Sequence, residues 1–323
     1  MIIKERKTPI EILRLEALLR RIPKNHPKIH HIEESLKKRK AGYQGEVSLN
    51  YFLDYLPDDE YLIINNLRLY DGKRYFQIDC VILSQAFILI LEVKNLLGTL
   101  VFDTEFNQMI RIINDKEEAF PDPILQVERQ KENLKNWISL QGIPALPIET
   151  LVLISNPHTI IKTPTQSGQL SRKVIHSANL PKKVEYLNKK YNQEKISMKE
   201  LKKLSRLFLR KHELQYSNLL EHYLILENEL LTGVHCMNCF SLKMKRNYGS
   251  WICTICGYKS KDAHVASLRD YALLIRPIVT NQKARRFLEL ESITIASRIL
   301  SSMKIQHLGN FKGRIYELHS LLE

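Results

Sequence analysis

Four ionisable residues have types and spacings that could do chemistry together: Glu46, Asp79, Glu92 and Lys94. The runs Tyr75–Leu83 and Phe87–Lys94 read as two strands joined by little more than Ser84, Gln85 and Ala86. A two-residue turn at Gln85-Ala86 makes paired positions sum to 171, which sets Asp79 opposite Glu92 and Gln77 opposite Lys94. Directly opposed Cβ atoms lie about 5 Å apart, close enough for two carboxylates to share one cation. The neighbours Ile78, Cys80, Val81, Leu91 and Val93 are all apolar, so the acids are poorly hydrated. Buried carboxylates without a partner bind a proton rather than stay charged, and a divalent metal removes that conflict. Lys94 follows Glu92 by two residues and so shares its face, about 7 Å along the strand. There it could orient a water or stabilise charge developing at a phosphorus. Mg²⁺ or Mn²⁺ suits such oxygen donors, polarises a phosphoryl oxygen and acidifies an attacking water. Glu46 opens a helix read over Glu46 to Leu56 and could add a ligand. The plain alternative is a Glu92–Lys94 salt bridge with a lone Asp79.

The stretches GYQGE (42–46), YFQIDCVIL (75–83) and ILILEVKN (88–95) resemble the NERD, or nuclease-related, domain, a branch of the PD-(D/E)xK nuclease superfamily. The stretch Pro121-Asp122-Pro123-Ile124-Leu125-Gln126 is similar to that family's proline-and-glutamine motif at a helix head. The likeness runs from about Gly42 to Ser155. It implies an α/β, restriction-endonuclease-like mixed sheet flanked by helices and a metal-dependent phosphodiesterase core. It maps the family's acidic and basic positions onto Glu46, Asp79, Glu92 and Lys94, with Gln126 as an auxiliary polar group.

A second constellation is Cys236-x-x-Cys239 and Cys253-x-x-Cys256, with thirteen residues between the pairs. Four thiolates on two knuckles suit a closed, structural Zn²⁺ site. Two disulfides or a redox pair are the alternatives, disfavoured because MIIKERKTP has no apolar signal region and the chain reads as cytoplasmic. His235, adjacent to Cys236, points elsewhere, and Cys80 falls in a buried strand. Lys243, Lys245, Arg246 and Trp251 lie between the knuckles with Tyr248. Mixed cations and rings suit nucleic acid, although the rings could equally complete a small core.

Charge is distributed in blocks. Residues 1–40 carry 12 Lys/Arg against 5 Asp/Glu, residues 41–160 carry 9 against 17, and residues 161–323 carry 28 against 13. Basic flanks around an acidic block are the footprint of a polyanion, nucleic acid with DNA ahead of RNA. The apolar, uncharged stretch Cys80 to Leu91 is too short for a spanning helix, so no membrane partner is expected.

The elements that must position these residues follow from periodicity. Helices read over Ile10 to Leu19, His31 to Lys40 and Glu46 to Leu56, with Gly42 and Gly45 breaking the last two apart. Strands read over Tyr61–Leu69, Tyr75–Leu83, Phe87–Lys94 and Thr150–Ser155, with a possible one at Val174–His176. Thr99–Phe102 and Met109–Ile113 are expected to extend the same sheet. Asp122 and Pro123 read as N-cap and first residue of a helix reaching about Leu140. Asn281–Leu290 and Ile293–Met303, followed by a strand, could form a helix-turn-helix with Arg285, Arg286, Arg298, Lys312 and Arg314 on phosphates, or simply a packing module. The chain thus divides as a basic helical segment (1–41), a nuclease-like domain (42–190), a helical linker (191–231), a zinc ribbon (232–262) and a helical C-terminal module (263–323). Two functions fit: a metal-dependent nuclease, or a nucleic-acid-binding protein on a non-catalytic scaffold.

Overall fold

Six strands build the sheet that carries the acids, in the order Ile2–Lys4, Leu62–Tyr70, Tyr75–Leu83, Ile88–Lys94, Ile148–Ile154 and Val174–His176. This is a computed structural model, and it describes residues 1–163, 170–214, 218–310 and 313–322. Two compact units divide the chain: Met1–Lys7 with Lys40–Gln215, and Thr8–Arg39 with Tyr216–Glu323. The helix Ile29–Leu53 contributes residues to both.

In the first unit the sheet is mixed. The central strands pair antiparallel through Cys80↔Leu91 and Leu83↔Ile88, while Ile88–Lys94 runs parallel to Ile148–Ile154. Parallel neighbours need a crossover, and the helix Pro123–Leu140 supplies part of it. Asp122 caps that helix by accepting from Ile124 N at 2.8 Å. Strands such as Ile88–Lys94 are buried along nearly their whole length, as continuous apolar runs require when both sheet faces are covered. Leu134, Trp137 and Ile138 cover one face with Leu201, Leu204 and Phe208. Leu49, Leu53, Leu180, Val184 and Leu187 cover the other. Each such side chain contributes roughly 1.5–3 kcal/mol by leaving water.

Two expectations are corrected. Thr99–Asp103 and Gln108–Ile113 do not extend the main sheet; with Lys116–Pro121 and Ile160–Lys162 they form a separate four-stranded sheet. The position beside Ile88–Lys94 is already taken by Ile148–Ile154, so the intervening chain must pair with itself. Nor do Gly42 and Gly45 break a helix, since Ile29–Leu53 is continuous. Gly45 serves close approach instead. A Cβ there would lie 2.4 Å from Asn95 Cβ and 2.7 Å from Ser155 Oγ. Glu46 is therefore mid-helix, carried on the turn that touches the ends of two strands.

In the second unit, Ile10–Arg21 packs Leu15 and Leu18 against Leu219, Leu220, Leu273 and Leu274. A buried ion pair joins Arg21 Nε to Asp270 Oδ2 at 2.9 Å. The cysteine-bearing segment is a three-stranded sheet of Met244–Asn247, Ser250–Cys253 and Lys259–Ser260. After it come the helix Ala263–Leu274, the strand Ile278–Thr280, the helices Asn281–Leu288 and Ile293–Ser302, and the strands His307–Leu308 and Ile315–Glu317. Among the described residues no helix is long and apolar enough to cross a membrane.

The two glycines of the long helix should respond oppositely to alanine. Gly42 has no atom within 4 Å of the added Cβ. Gly42→Ala should stabilise by about 0.5–1 kcal/mol through helix propensity. Gly45→Ala should destabilise by about 1–3 kcal/mol through overpacking. Urea denaturation of the two variants checks the pair; equal shifts would contradict the close approach.

Candidate functional site

Asp79 sits where the sheet's hydrogen bonding opens on both sides. The ladder to Ile88–Lys94 ends at Cys80↔Leu91, so the expected Asp79–Glu92 and Gln77–Lys94 pairs do not form. The summed register is right but stops one pair short of Asp79 and Glu92, where the Asp79 carboxylate instead accepts from Val93 N at 3.0 Å. Towards Leu62–Tyr70 the ladder passes from Asn65↔Cys80 to Leu67↔Ile78, skipping Asn66 opposite Asp79. Asn66 there takes a left-handed conformation, φ 51°, which asparagine adopts more readily than other side-chain-bearing residues but which its surroundings must select.

Two residues of the N-terminal segment impose it. Lys4 Nζ donates to the carbonyls of Asn65 at 2.7 Å and Asn66 at 3.2 Å. Arg6 Nη2 donates to Asn65 Oδ1 at 2.8 Å, and its Nη1 pairs with Glu46 Oε2 at 2.8 Å. The Arg6 side chain is 1% exposed. A buried guanidinium must be paired, and Glu46 is its partner. Burial, then the nearby Arg6 and Lys7 charges, lower the Lys4 pKa to about 8.

Around Glu92 the hydrogen bonds close into a ring. Lys94 Nζ donates to Glu92 Oε1 at 2.7 Å and to Gln126 Oε1 at 3.1 Å. Gln126 Nε2 returns to Glu92 Oε1 at 2.8 Å, and Gln130 Nε2 reaches Glu92 Oε2 at 2.9 Å. The structure thus brings Glu92, Lys94 and Gln126 into direct contact. Gln126 and Gln130 stand one helical turn apart on Pro123–Leu140, so one helix face serves the carboxylate.

Electrostatics ties the acids together. Burial, followed by the charges of Glu92 and Glu46, raises the Asp79 pKa well above the usual carboxylate range. Burial also raises that of Glu46, although the Arg6 charge opposes it. Like charges and burial both favour the protonated form of such a carboxyl. Among the described residues the three acids do not converge as a cage: the four cysteines alone bring three or more candidate ligand atoms together. A Mg²⁺ or Mn²⁺ ion held by one or two carboxylates and several waters needs no such cage, so Asp79 and Glu92 fit that ion.

The four thiols are a second, separate centre. All four Sγ atoms lie within 4.8 Å of one another, with Cys236–Cys256 and Cys239–Cys253 both at 3.6 Å. That is far beyond a disulfide's ~2.05 Å and close to the ~3.8 Å edge of a tetrahedron with ~2.3 Å Zn–S bonds. Backbone N–H groups of Asn238 and Ile255 donate to Cys236 and Cys253, the turn that each knuckle needs. The cluster could hold a structural zinc. His235 faces Ser267 and Arg21 instead.

The expected nucleic-acid contacts divide. Trp251 is 1% exposed and donates to His264 Nδ1 at 3.1 Å, so its ring belongs to the core and cannot stack on a base. Arg246 lies over that ring. Lys243, Lys245, Arg286 and Arg298 are exposed, and Arg314 is half-buried. Arg285 Nη1 donates to the Glu291 carbonyl. Lys312 lies outside the described residues.

Comparison with known proteins follows this geometry. A family model described as nuclease-related domain matches residues 41–155. Those residues, about a third of the chain, are similar to a nuclease-related domain. A search of curated proteins gives no match. A solved structure, "Crystal structure of protein VC1899 from Vibrio cholerae", aligns with 56% of this chain and 51% of that one, at 11% identity and TM-score 0.26. The chain thus spans about half of that protein, and likeness at this level carries no argument.

Sequence reading missed Lys4, Arg6, Asn66 and Gln130. Arg6 and Lys4 lie in a tail without periodicity, and only long-range pairing reveals them. Gln130 did carry a signal, standing four residues from Gln126 in a helix already assigned.

The raised Asp79 pKa has a direct consequence for stability. Between the unfolded value of ~3.9 and the higher folded value, the folded nuclease-related domain binds more protons than the unfolded chain. Stability from this group is therefore lost as pH rises through that window. In EDTA, Asp79→Asn should gain Tm relative to wild type, and the gain should grow from about pH 4 towards pH 8. Thermal melts across that range check it; a gain independent of pH would contradict the coupling.

Proposed function

We propose that the nuclease-related domain is a metal-dependent phosphodiesterase acting on nucleic acid, with DNA ahead of RNA. The observation that carries this reading is geometric: Glu92 is bound to Lys94 and Gln126 at one strand end, beside the buried carboxyl of Asp79 on the neighbouring strand. A scaffold has no use for a buried, unpaired Asp79 carboxyl at the end of a sheet beside a second carboxylate. Asp79 and Glu92 would hold Mg²⁺ or Mn²⁺, and Zn²⁺ would fill the thiol cluster in a purely structural role.

The divalent ion, when bound, supplies a Lewis acid for the phosphoryl oxygen and a more acidic water. The remaining work belongs to side chains. Lys94 is 25% exposed while Glu92 is 4% exposed, so the ammonium faces solvent from a carboxylate anchored behind it. In that position its charge can meet the negative charge that develops on phosphorus-bound oxygen, aimed beforehand by Glu92 and Gln126. Gln130 keeps Glu92 from rotating. Arg6 neutralises Glu46 and so spares Asp79 and Glu92 part of the repulsion they would otherwise share. The basic segments add phosphate contacts that hold the substrate.

One observation favours the second reading, binding without cleavage. Both oxygens of Glu92 already accept hydrogen bonds, from Lys94, Gln126 and Gln130. A carboxylate so engaged could be a structural anchor rather than a ligand.

Cleavage separates the two. Wild type with plasmid and linear DNA should cut in Mg²⁺ or Mn²⁺ and not in EDTA. Glu92→Gln and Lys94→Ala should each lower the rate by about 10²-fold or more, with DNA binding retained. Wild type that binds DNA in a salt-sensitive way but never cuts it would support the scaffold instead.

A further inference from the structure

We infer that residues 263–310 and 313–318 belong to a winged helix-turn-helix that reads duplex DNA through the exposed face of Ile293–Ser302. The fold element order there is helix, strand, helix, helix, strand, strand. The three strands pair antiparallel in the order Ile278–Thr280, Ile315–Glu317, His307–Leu308, so the last strand returns between the other two. The strands after the second short helix therefore make a hairpin beside it, the wing of such a module. Sequence reading had the two short helices and one strand, and missed both the first helix and the returning sheet.

The helix Ile293–Ser302 is anchored on one side and free on the other. Ala296, Ile299 and Leu300 are buried in the core with Phe287, Leu288 and Tyr316. Asn281 Nδ2 donates to the Ile293 carbonyl at 3.1 Å and to Ser297 Oγ at 2.9 Å, which fixes the angle between the two short helices. Thr294, Arg298, Ser301 and Ser302 remain exposed. The spacings of four and three put Thr294, Arg298 and Ser301 in a single stripe, with Ser302 at its edge. The turn's acids, Glu289 and Glu291, come before the helix and not on the stripe.

The chemistry of that stripe suits base edges. A single Arg among short hydroxyl side chains matches guanine O6/N7 recognition, with Ser and Thr tolerant of several edges. Ile293 and Ile295, exposed at the helix start, offer apolar contact to a thymine methyl. Lys283 and Arg286 on the preceding helix are exposed, where the first helix of such a pair crosses the phosphates. Duplex RNA has a major groove too narrow for a helix. Single strands are gripped by stacking on exposed rings, and Phe287, the aromatic residue of these two helices, is buried.

This inference names the substrate class of the proposed nuclease and rests on that reading only for the word substrate; binding stands apart from cleavage. The test uses the full zinc-loaded chain without Mg²⁺, Mn²⁺ or chelator, by fluorescence anisotropy, with one sequence as a DNA duplex, a DNA single strand and an RNA duplex. A length of about 20 base pairs, roughly two helical turns, is enough. Duplex DNA should bind at least about tenfold tighter than the other two. Arg298→Ala should weaken duplex binding about tenfold or more and relax the preference found by selection from random duplexes. Lys283→Ala with Arg286→Ala should weaken all duplexes alike and lower the salt slope by roughly 2. All three side chains are exposed, so the variants should melt like wild type. Equal affinity for the three nucleic acids, or an Arg298→Ala variant that binds and selects as wild type does, overturns the inference. Intact duplex binding without metal-dependent cutting would overturn the nuclease reading alone.

Discussion

Glu46, Asp79 and Glu92 repel one another in surroundings that hydrate none of them fully, and the first unit is organised around relieving that repulsion. Arg6 is spent on Glu46, buried so deeply that its charge has no other outlet. Lys94, Gln126 and Gln130 are all committed to Glu92. Asp79 is left with one backbone N–H and a raised pKa. Neither a proton nor a salt bridge treats the three alike, and a divalent cation between Asp79 and Glu92 would remove the residual strain on both.

Backbone geometry serves the same end. Opening both ladders at Asp79 frees its carboxylate from a purely structural neighbourhood, but costs the pairing of Asn66 and forces that residue into the left-handed region. Lys4 and Arg6 offset the loss by bonding the backbone and side chain of Asn65 and the Asn66 carbonyl. Gly45 then lets the helix bearing Glu46 come within contact of Asn95 and Ser155. Any larger residue would push Glu46 outwards. The second unit follows a different logic, with a thiol cluster and two mostly aliphatic core clusters in place of the large sheet.

Much of this was legible in the sequence where local rules govern. The Tyr75–Leu83 and Ile88–Lys94 register follows from a short turn and continuous apolar runs, and it holds to Cys80↔Leu91. Asp122-Pro123 announces its helix because cap chemistry is local. The cysteine spacing announces its cluster for the same reason. Failure came where distant parts of the chain decide. Gly42 and Gly45 read as helix breakers, since nothing nearby reveals the strand ends that Gly45 must clear. Arg6 reads as one charge in a basic tail, although its partner is forty residues away. Trp251 reads equally as a stacking ring or a core residue, and burial decides for the core. The pairing of Asp79 with Glu92 fails because a side-chain acceptor took over from the ladder, which no pairing rule anticipates.

Asp79 and Glu92 together would hold a divalent cation that displaces a proton. The most direct measurement is calorimetric titration of the wild-type chain and Asp79→Asn with Mn²⁺ near neutral pH, in buffers of different ionisation enthalpy. Wild type should bind Mn²⁺ with net proton release, and Asp79→Asn should bind about tenfold or more weakly with that release abolished. Equal affinity in the two proteins, or binding without proton release in wild type, would contradict the account.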